Sequence, residues 1–536
     1  MACEPLYRLS DATVVEPLVD KWSAWSHLMS PIPSSLHLIN YQIKLLQSYL
    51  KDPRSHVETC KDAKLRSGPF VDIPEQRADE VERLLAETLD RFSENIKLAK
   101  TVTEFHNKLV REARGQSLTP LYKIIPDVLR GYAELVYDYY NRPTARFFES
   151  LLYESPYYRP DAQSLNIFRQ RSDGSRPFFM STPRLHQDDQ IGWSVPFESK
   201  QIDELFQTSL KPQPLEYIRE ILELDAGNED RLLDMLSSQE VPAREEWNSS
   251  AIRLRYFGHA CLLIECNGVS VLTDPYIAVK PYEEGIDRYT YSDLPEKIDY
   301  VIVTHNHHDH FCIEPLLRLR HRIGSLVVPR SSGLLYGDIS LKLLAKKIGF
   351  KNVIEVDALE TIPQPGGEIV AVPFMGEHAD LAHSKTAYIV RLGKKSFLFA
   401  ADSDCLDKRL YEHIRRIIGP IETLFIGMEC VGAPLSWSCG PFLPYKPDFN
   451  QEQTRRYKGC DSSRALEIIE ALGVRELYIY AMGLEPWLEY LLGLALDEDS
   501  EQLKQAGVLL NRARERGMTT AKLLCGIDEM HYNGAP

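Results

Sequence analysis

The stretch Thr304-His305-Asn306-His307-His308-Asp309-His310 constrains this chain more than any other. It follows the apolar run Tyr300-Val301-Ile302-Val303, which reads as a short buried strand. Several candidate ligands therefore leave the end of one strand together. His305 and His307 are two apart, so both imidazoles can point at one metal, and Asp309 and His310 can reach a second. A polar loop rich in histidine by chance is the bland alternative. The ordered His-x-His-x-Asp-His pattern at a strand end argues against it.

At 536 residues the chain has room for two or three domains. Its 44% hydrophobic and 26% charged residues fit a soluble globular protein. No apolar run approaches a membrane span, and Met1-Ala2-Cys3-Glu4-Pro5 lacks the basic flank of a leader, so neither signal peptide nor transmembrane helix is expected. Ten cysteines are scattered without a Cys-x-x-Cys pair. Reduced thiols and a cytoplasmic location follow as expectations. The formal charge of −15 disfavours nucleic acid as a partner. The short basic run Arg318-Leu319-Arg320-His321-Arg322 reads as solvated surface.

Residues 1–245 form an expected N-terminal accessory domain, mainly helical α+β, for dimerisation or carrier docking. Apolar spacing predicts helices over 36–50, 79–113 and 124–140, and helix in parts of 202–224, broken near Pro212 and Pro214. The aromatic, proline-rich stretch 153–183 predicts loops and short strands. The aromatic cluster Tyr137, Tyr139, Tyr140, Phe147, Phe148, Tyr153, Tyr157 and Tyr158 reads as core or subunit interface. The polar stretch 226–250 predicts a boundary, with a catalytic domain over 246–536. From Ala251 short strands dominate, and Asn267-Gly268 supplies a hairpin turn. Further strands are expected at 326–328, 353–356, 369–372, 386–391, 396–400, 423–426 and 477–480. Helices are expected at 341–347, 465–472, 502–516 and 520–524. Strand pairs followed by strands mixed with helices fit two sheets covered by helices, an α/β class. No Gly-x-Gly and no Glu-x-x-His occurs, which excludes the dinucleotide fingerprint and the helical-bundle di-iron site.

The His305–His310 run resembles the signature of the metallo-β-lactamase superfamily, which implies an αββα sandwich. By that resemblance Asp274 orients ligands, His305 and His307 serve one metal, and Asp309 and His310 serve the other. Asp402 stands at the bridging carboxylate position, with Asp404 as fallback. At the third motif, Met375-Gly376-Glu377-His378 offers two ligands, Glu377 or His378. At the fifth, Ala481-Met482-Gly483 follows the last strand with no histidine. A carboxylate-rich, nitrogen-poor set suits a harder metal such as iron.

That departure makes the chain similar to the di-iron β-hydroxylases of the chloramphenicol pathway and related peptide-antibiotic pathways. The resemblance covers the whole chain. It implies a monooxygenase with two iron ions, dioxygen as co-substrate and an external electron donor, a reductase or ferredoxin. It implies a homodimer acting on an aminoacyl thioester, such as that of L-p-aminophenylalanine, held on the carrier domain of a nonribosomal peptide synthetase. The metal ligands expected are His305, His307, Asp309, His310, Glu377 and Asp402. Glu377 is also expected to act in catalysis by shifting its coordination. Glu429, just past the strand 424–426, is read as catalytic support or as an ordinary buried polar residue. The loop 432–460, with Pro434, Trp437, Pro441, Phe442, Pro444, Tyr445 and Pro447, reads as channel wall or packed loop. His259 is read as supporting rather than ligating, and His308 as facing away. The alternatives are a dinuclear zinc hydrolase, lactonase or phosphodiesterase, and a scaffold with a decayed site.

Overall fold

The architecture comes from a computed structural model that describes residues 5–283, 285–379, 381–443, 446–494 and 496–533. Two seven-stranded sheets dominate the C-terminal half. Across the first lie Val353–Val356, Ile323–Pro329, Ile298–Ile302, Val269–Thr273, Cys261–Cys266, Ile252–Gly258 and Asp528–Tyr532. Across the second lie Thr361–Gln364, Gly367–Val372, Ala387–Leu392, Lys395–Phe399, Thr423–Ile426, Glu476–Ile479 and Thr520–Leu523. Each sheet is antiparallel at one side and parallel at the other. Asn267 and Gly268 both have positive φ, 51° and 73°, and connect Cys266 to its partner Val269. That is the tight turn whose twist matches the flanking strands.

Period-two alternation decides which face goes where. Leu254 and Tyr256 point between the two sheets, as do Phe397 and Phe399, while Phe257 and Leu398 point outward. Phe399, Phe425 and Tyr478 stack across neighbouring strands, with centroids 5.0 and 4.9 Å apart. The helices Lys408–Ile418, Ser462–Leu472 and Glu501–Glu515 cover the second sheet. Over the first sheet, Ile313–Leu319 and Leu341–Lys347 share that task with the N-terminal half. The result is the expected αββα sandwich.

The N-terminal half has a four-stranded sheet, Trp22–Ser23, Thr13–Val19, Gln163–Arg169 and Ile191–Ser194, flanked by helices. Its last strand, Leu236–Ser237, pairs with Leu6–Leu9, and the first strand of the sandwich starts at Ile252. Helices Ala78–Arg91 and Ser93–Glu112 fill the 79–113 stretch. The 36–50 helix contains a wider π turn at Leu38–Gln42.

Three expectations are corrected. Residues 124–140 are short 3-10 turns and then a hairpin, Ala133–Tyr137 with Pro143–Phe147. Pairing Val136 and Tyr137 across strands outweighed their weak helical periodicity, and Asn141, at φ 61°, makes the turn. Tyr139 and Tyr140 therefore stand fully exposed at its tip, outside any core. Residues 520–524 hold a strand instead of a helix, because Leu477 and Ile479 offer open ladder positions to Ala521 and Leu523. The basic run is buried: Arg318, Arg320 and Arg322 are each under a tenth exposed. Arg318 donates to the Thr13 carbonyl at 2.8 Å, Arg320 binds Asp203 at 2.8 Å and the Ser199 carbonyl, and Arg322 donates to the Leu294 carbonyl at 2.9 Å. Arg318 and Arg320 thereby join the two halves, while Arg322 ties down a loop within the second, tasks that suit a planar five-donor group.

Candidate metal centre

Every sequence-predicted position lies at the same end of the sandwich, in the loops that follow strands. Asp274 ends the strand Val269–Thr273, the histidine run follows Ile298–Ile302, and Asp402 follows Lys395–Phe399. Asp274 Oδ1 accepts from Thr304 N at 2.7 Å, and Oδ2 accepts from Thr304 Oγ1 at 2.7 Å. The same Oδ2 lies 2.8 Å from His310 Nδ1, so His310 is protonated there and turns Nε2 inward.

Two groups of donor atoms result. His305 Nε2 is 3.1 Å from His307 Nδ1, which is 3.0 Å from His378 Nε2. His259 Nε2 is 3.0 Å from Asp309 Oδ2, beside His310. Asp402 Oδ2 lies between the groups, 2.9 Å from His310 Nε2, 3.1 Å from His378 Nε2 and 3.5 Å from His305 Nε2. The donors suit cations better than one another. His307 Nδ1 has one lone pair or one proton and cannot pair with both nitrogen neighbours. Among the described residues His310 Nε2 is buried and makes no hydrogen bond, despite its closeness to Asp402. Two metal ions shared between these groups would satisfy both.

The electrostatics differ along the cluster. Burial, reinforced by neighbouring imidazoles, holds His305 and His307 well below the usual histidine range, as neutral ligands must be. Burial opposes charge on His310 too, but Asp309, Asp402 and Asp274 outweigh it and push that ring well above the usual range. Burial likewise disfavours the Asp402 carboxylate, yet His378 and His310 hold it ionised.

The third-motif turn presents its two candidates differently. Gly376, at φ 142°, lies so close to Asp404 that an added Cβ would stand 3.0 Å from the Asp404 Cβ. The chain then makes a single 3-10 turn, Glu377–Ala379, whose successive side chains diverge. His378 Nδ1 is held by the Tyr457 carbonyl at 3.0 Å, which aims Nε2 at the cluster. Glu377, expected as a ligand, is exposed and belongs to neither group. Asp404, the fallback, pairs with Arg464 at 2.7 Å instead. His308 turns away, Nε2 on the Leu491 carbonyl at 3.1 Å and its ring stacked on Phe179. His259 Nδ1 is buried without a partner among the described residues, so its proton sits on Nε2 and is donated to Asp309.

The donor groups open on a cavity of about 330 Å³. The 432–460 loop walls it with Pro434, Trp437, Phe442 and Tyr457; Pro444 and Tyr445 lie outside the described residues. Ala481 and Met482, where the fifth motif lacks its histidine, form another side. Glu429 also faces the cavity. Its Oε1 accepts from Gly432 N at 2.9 Å and Gln502 Nε2 at 3.2 Å, and burial raises its carboxyl above the usual range. Sequence reasoning missed Trp25, His27 and Asn306 in the lining. Asn306 lay inside the motif, but nothing local in the sequence marked the other two.

Comparison with known proteins gives the family. Residues 8–240 match the family described as diiron non-heme β-hydroxylase N-terminal domain, and residues 253–381 match a β-lactamase superfamily domain. The chain is 34% identical over 525 residues to the 4-amino-L-phenylalanyl-(CmlP-peptidyl-carrier-protein) 3-hydroxylase of Streptomyces venezuelae, covering 96% of this chain and 98% of the relative. The crystal structure of CmlA, a diiron β-hydroxylase from Streptomyces venezuelae, superposes with a TM-score of 0.92 at 33% identity, over 99% of this chain and 100% of that one. A UPF0173 protein of Pyrococcus abyssi is 30% identical over 127 residues, only 24% of this chain and 50% of its own length. No helix among the described residues is long and apolar enough to cross a membrane. The chain thus belongs to the diiron non-heme β-hydroxylases built on the metallo-β-lactamase fold.

Proposed function

We propose that this hydroxylase inserts oxygen at the β-carbon of an aminoacyl thioester carried on a nonribosomal peptide synthetase carrier domain, in an antibiotic pathway. The observation that carries this is the junction of two donor groups at Asp402, opening on one cavity lined by both halves of the chain. The relative's substrate, a 4-aminophenylalanyl group on a carrier protein, supports the carrier-bound class. The ligands we assign are His305, His307, Asp309, His310 and Asp402, with His378 at the third motif. When bound, the two irons supply the redox chemistry that uses dioxygen and two external electrons.

The protein's part is positioning. Asp274 fixes the tautomer of His310, and His259 holds Asp309 by a hydrogen bond, the supporting contacts that keep ligands oriented. Asp402 faces both groups at once and balances the positive charge gathered there. Trp437, Phe442 and Met482 keep bulk water from the reacting carbon. Glu429, half-buried in the cavity wall, retains its proton to a higher pH than an exposed carboxyl and can hold or return one beside the substrate. A separate reductase or ferredoxin delivers the electrons, since no dinucleotide fingerprint occurs in the chain. The assembly we propose is a homodimer, on the strength of the family resemblance alone.

The test is reconstitution with ferrous iron, an aminoacyl-loaded carrier domain, a reductant and dioxygen. About two irons per chain, as a two-metal site requires, and a carrier product heavier by one oxygen atom are the expected results. Zinc at both positions with no oxygen insertion, and turnover of esters or phosphodiesters, would assign the zinc-hydrolase chemistry instead. The missing fifth-motif histidine and the long N-terminal half weigh against that reading.

A further inference from the structure

Two buried polar side chains face the cavity with nothing to bind. Trp25, from the N-terminal half, is 4% exposed, and Asn306, inside the ligand run, is 2% exposed; both line the cavity. Among the described residues, neither the Trp25 indole nitrogen nor the Asn306 carboxamide has a hydrogen-bond partner. Unlike the sealed indole nitrogens of Trp22 and Trp487, these atoms are reachable from the cavity, and the neighbouring cavity tryptophan, Trp437, donates to the Ser67 carbonyl at 3.0 Å. The two segments meet, because Ser26 Oγ, next to Trp25, donates to the Asn306 main-chain carbonyl at 3.0 Å.

The walls of that corner are aromatic. His27 stacks on Phe442 with centroids 4.7 Å apart and 20° between planes, and Trp25 lies 4.7 Å from His27. Flat π surfaces favour a flat ligand group. The polar atoms ask for more: the indole N–H needs an acceptor, and the carboxamide offers both a donor and an acceptor. On the other side of Asn306 is His307, whose Nδ1 joins the donor cluster.

We propose that Trp25 and Asn306 are specificity-determining residues that hold the side chain of the carried amino acid, an aromatic ring bearing an amino or hydroxyl substituent. This rests on the carrier-bound reading above and adds the residues that select the substrate. The ring lies against His27 and Phe442, its substituent pairs with the Asn306 carboxamide and the Trp25 N–H, and its benzylic β-carbon faces the ligands.

The experiment uses iron-loaded protein without dioxygen, so that binding is read without turnover. The probes are the pantetheine thioesters of 4-aminophenylalanine and phenylalanine, titrated by calorimetry, with iron measured in every sample. The wild-type protein is expected to bind the amino-substituted probe about tenfold tighter, the effect of one net buried hydrogen bond. Asn306→Ala should bring the two affinities within about twofold, and Trp25→Phe should narrow the gap while the ring still binds, both at unchanged iron content. An unchanged ratio in Asn306→Ala, equal weakening of both probes, or loss of iron overturns the assignment. A wild-type ratio near one overturns the pocket alone, whereas refusal of both thioesters overturns the pocket and the carrier-bound reading together.

Discussion

Asp274 Oδ2 and His310 Nδ1 lie 2.8 Å apart, both fully buried. This contact fixes which imidazole nitrogen is free for metal. Asp274 sits at φ 30°, a left-handed conformation held by its two bonds to Thr304. Asp274→Asn keeps the shape but removes the charge that supports His310. We expect metal affinity to fall about 10- to 100-fold, as for other outer partners of ligating histidines. Chelator competition reads it, and an unchanged affinity would remove Asp274 from the site.

The third-motif turn gives a second prediction. His378→Ala should cost bound iron, because Nε2 stands within 3.1 Å of both His307 and Asp402. Glu377→Ala should cost less, since Glu377 is exposed. Iron counted per chain decides, and the reverse order would transfer the ligand role to Glu377.

Glu429 gives a third. Its raised carboxyl is protonated to a higher pH than usual, so a group returning a proton from it works on the acid side and fades as pH rises through its folded value. Glu429→Gln should lower hydroxylation and flatten that limb of the pH–rate profile, with iron content and its optical spectrum retained. A profile identical in shape to wild type would leave Glu429 as wall only.

A fourth concerns the junction between halves. Arg176 binds Glu314 at 2.7 Å and Glu16 at 3.1 Å, and Arg184 binds Glu16 at 2.9 Å, with Glu16 2% exposed. Burial alone would raise the Glu16 carboxyl, but Arg184 and Arg176 hold it down at about 2 against an ordinary 4.5. A depressed folded value stabilises the fold above pH 4.5, and that contribution, about 3 kcal/mol, disappears as pH falls toward 2. Glu16→Gln should flatten this part of the stability–pH curve. Arg176→Ala strands the Glu314 carboxylate and leaves Glu16 to Arg184 alone, and should cost about 3–5 kcal/mol at neutral pH, measured by urea unfolding.

The sandwich was legible because its strands carry their own signals. Apolar runs such as Cys261–Cys266 and Thr423–Ile426 need burial on both faces, and Asn267-Gly268 can make only a tight turn. The donor run was legible too, since His305 to His310 are neighbours in the chain. The hairpin at 133–147 and the edge strand Thr520–Leu523 were not, because each is set by its pairing partner rather than by local preference.

By itself, then, the sequence determined the strand pattern, the donor residues and the absent fifth histidine. Only the tertiary structure decided which of two adjacent residues, Glu377 or His378, faces inward, because a turn separates them by direction and not by spacing. Only it revealed that Arg318, Arg320 and Arg322 are buried clasps, since a charge run looks the same whether water or carbonyls solvate it. And only it brought Trp25 beside Asn306: contacts between distant segments cost loop entropy and leave no local trace in sequence.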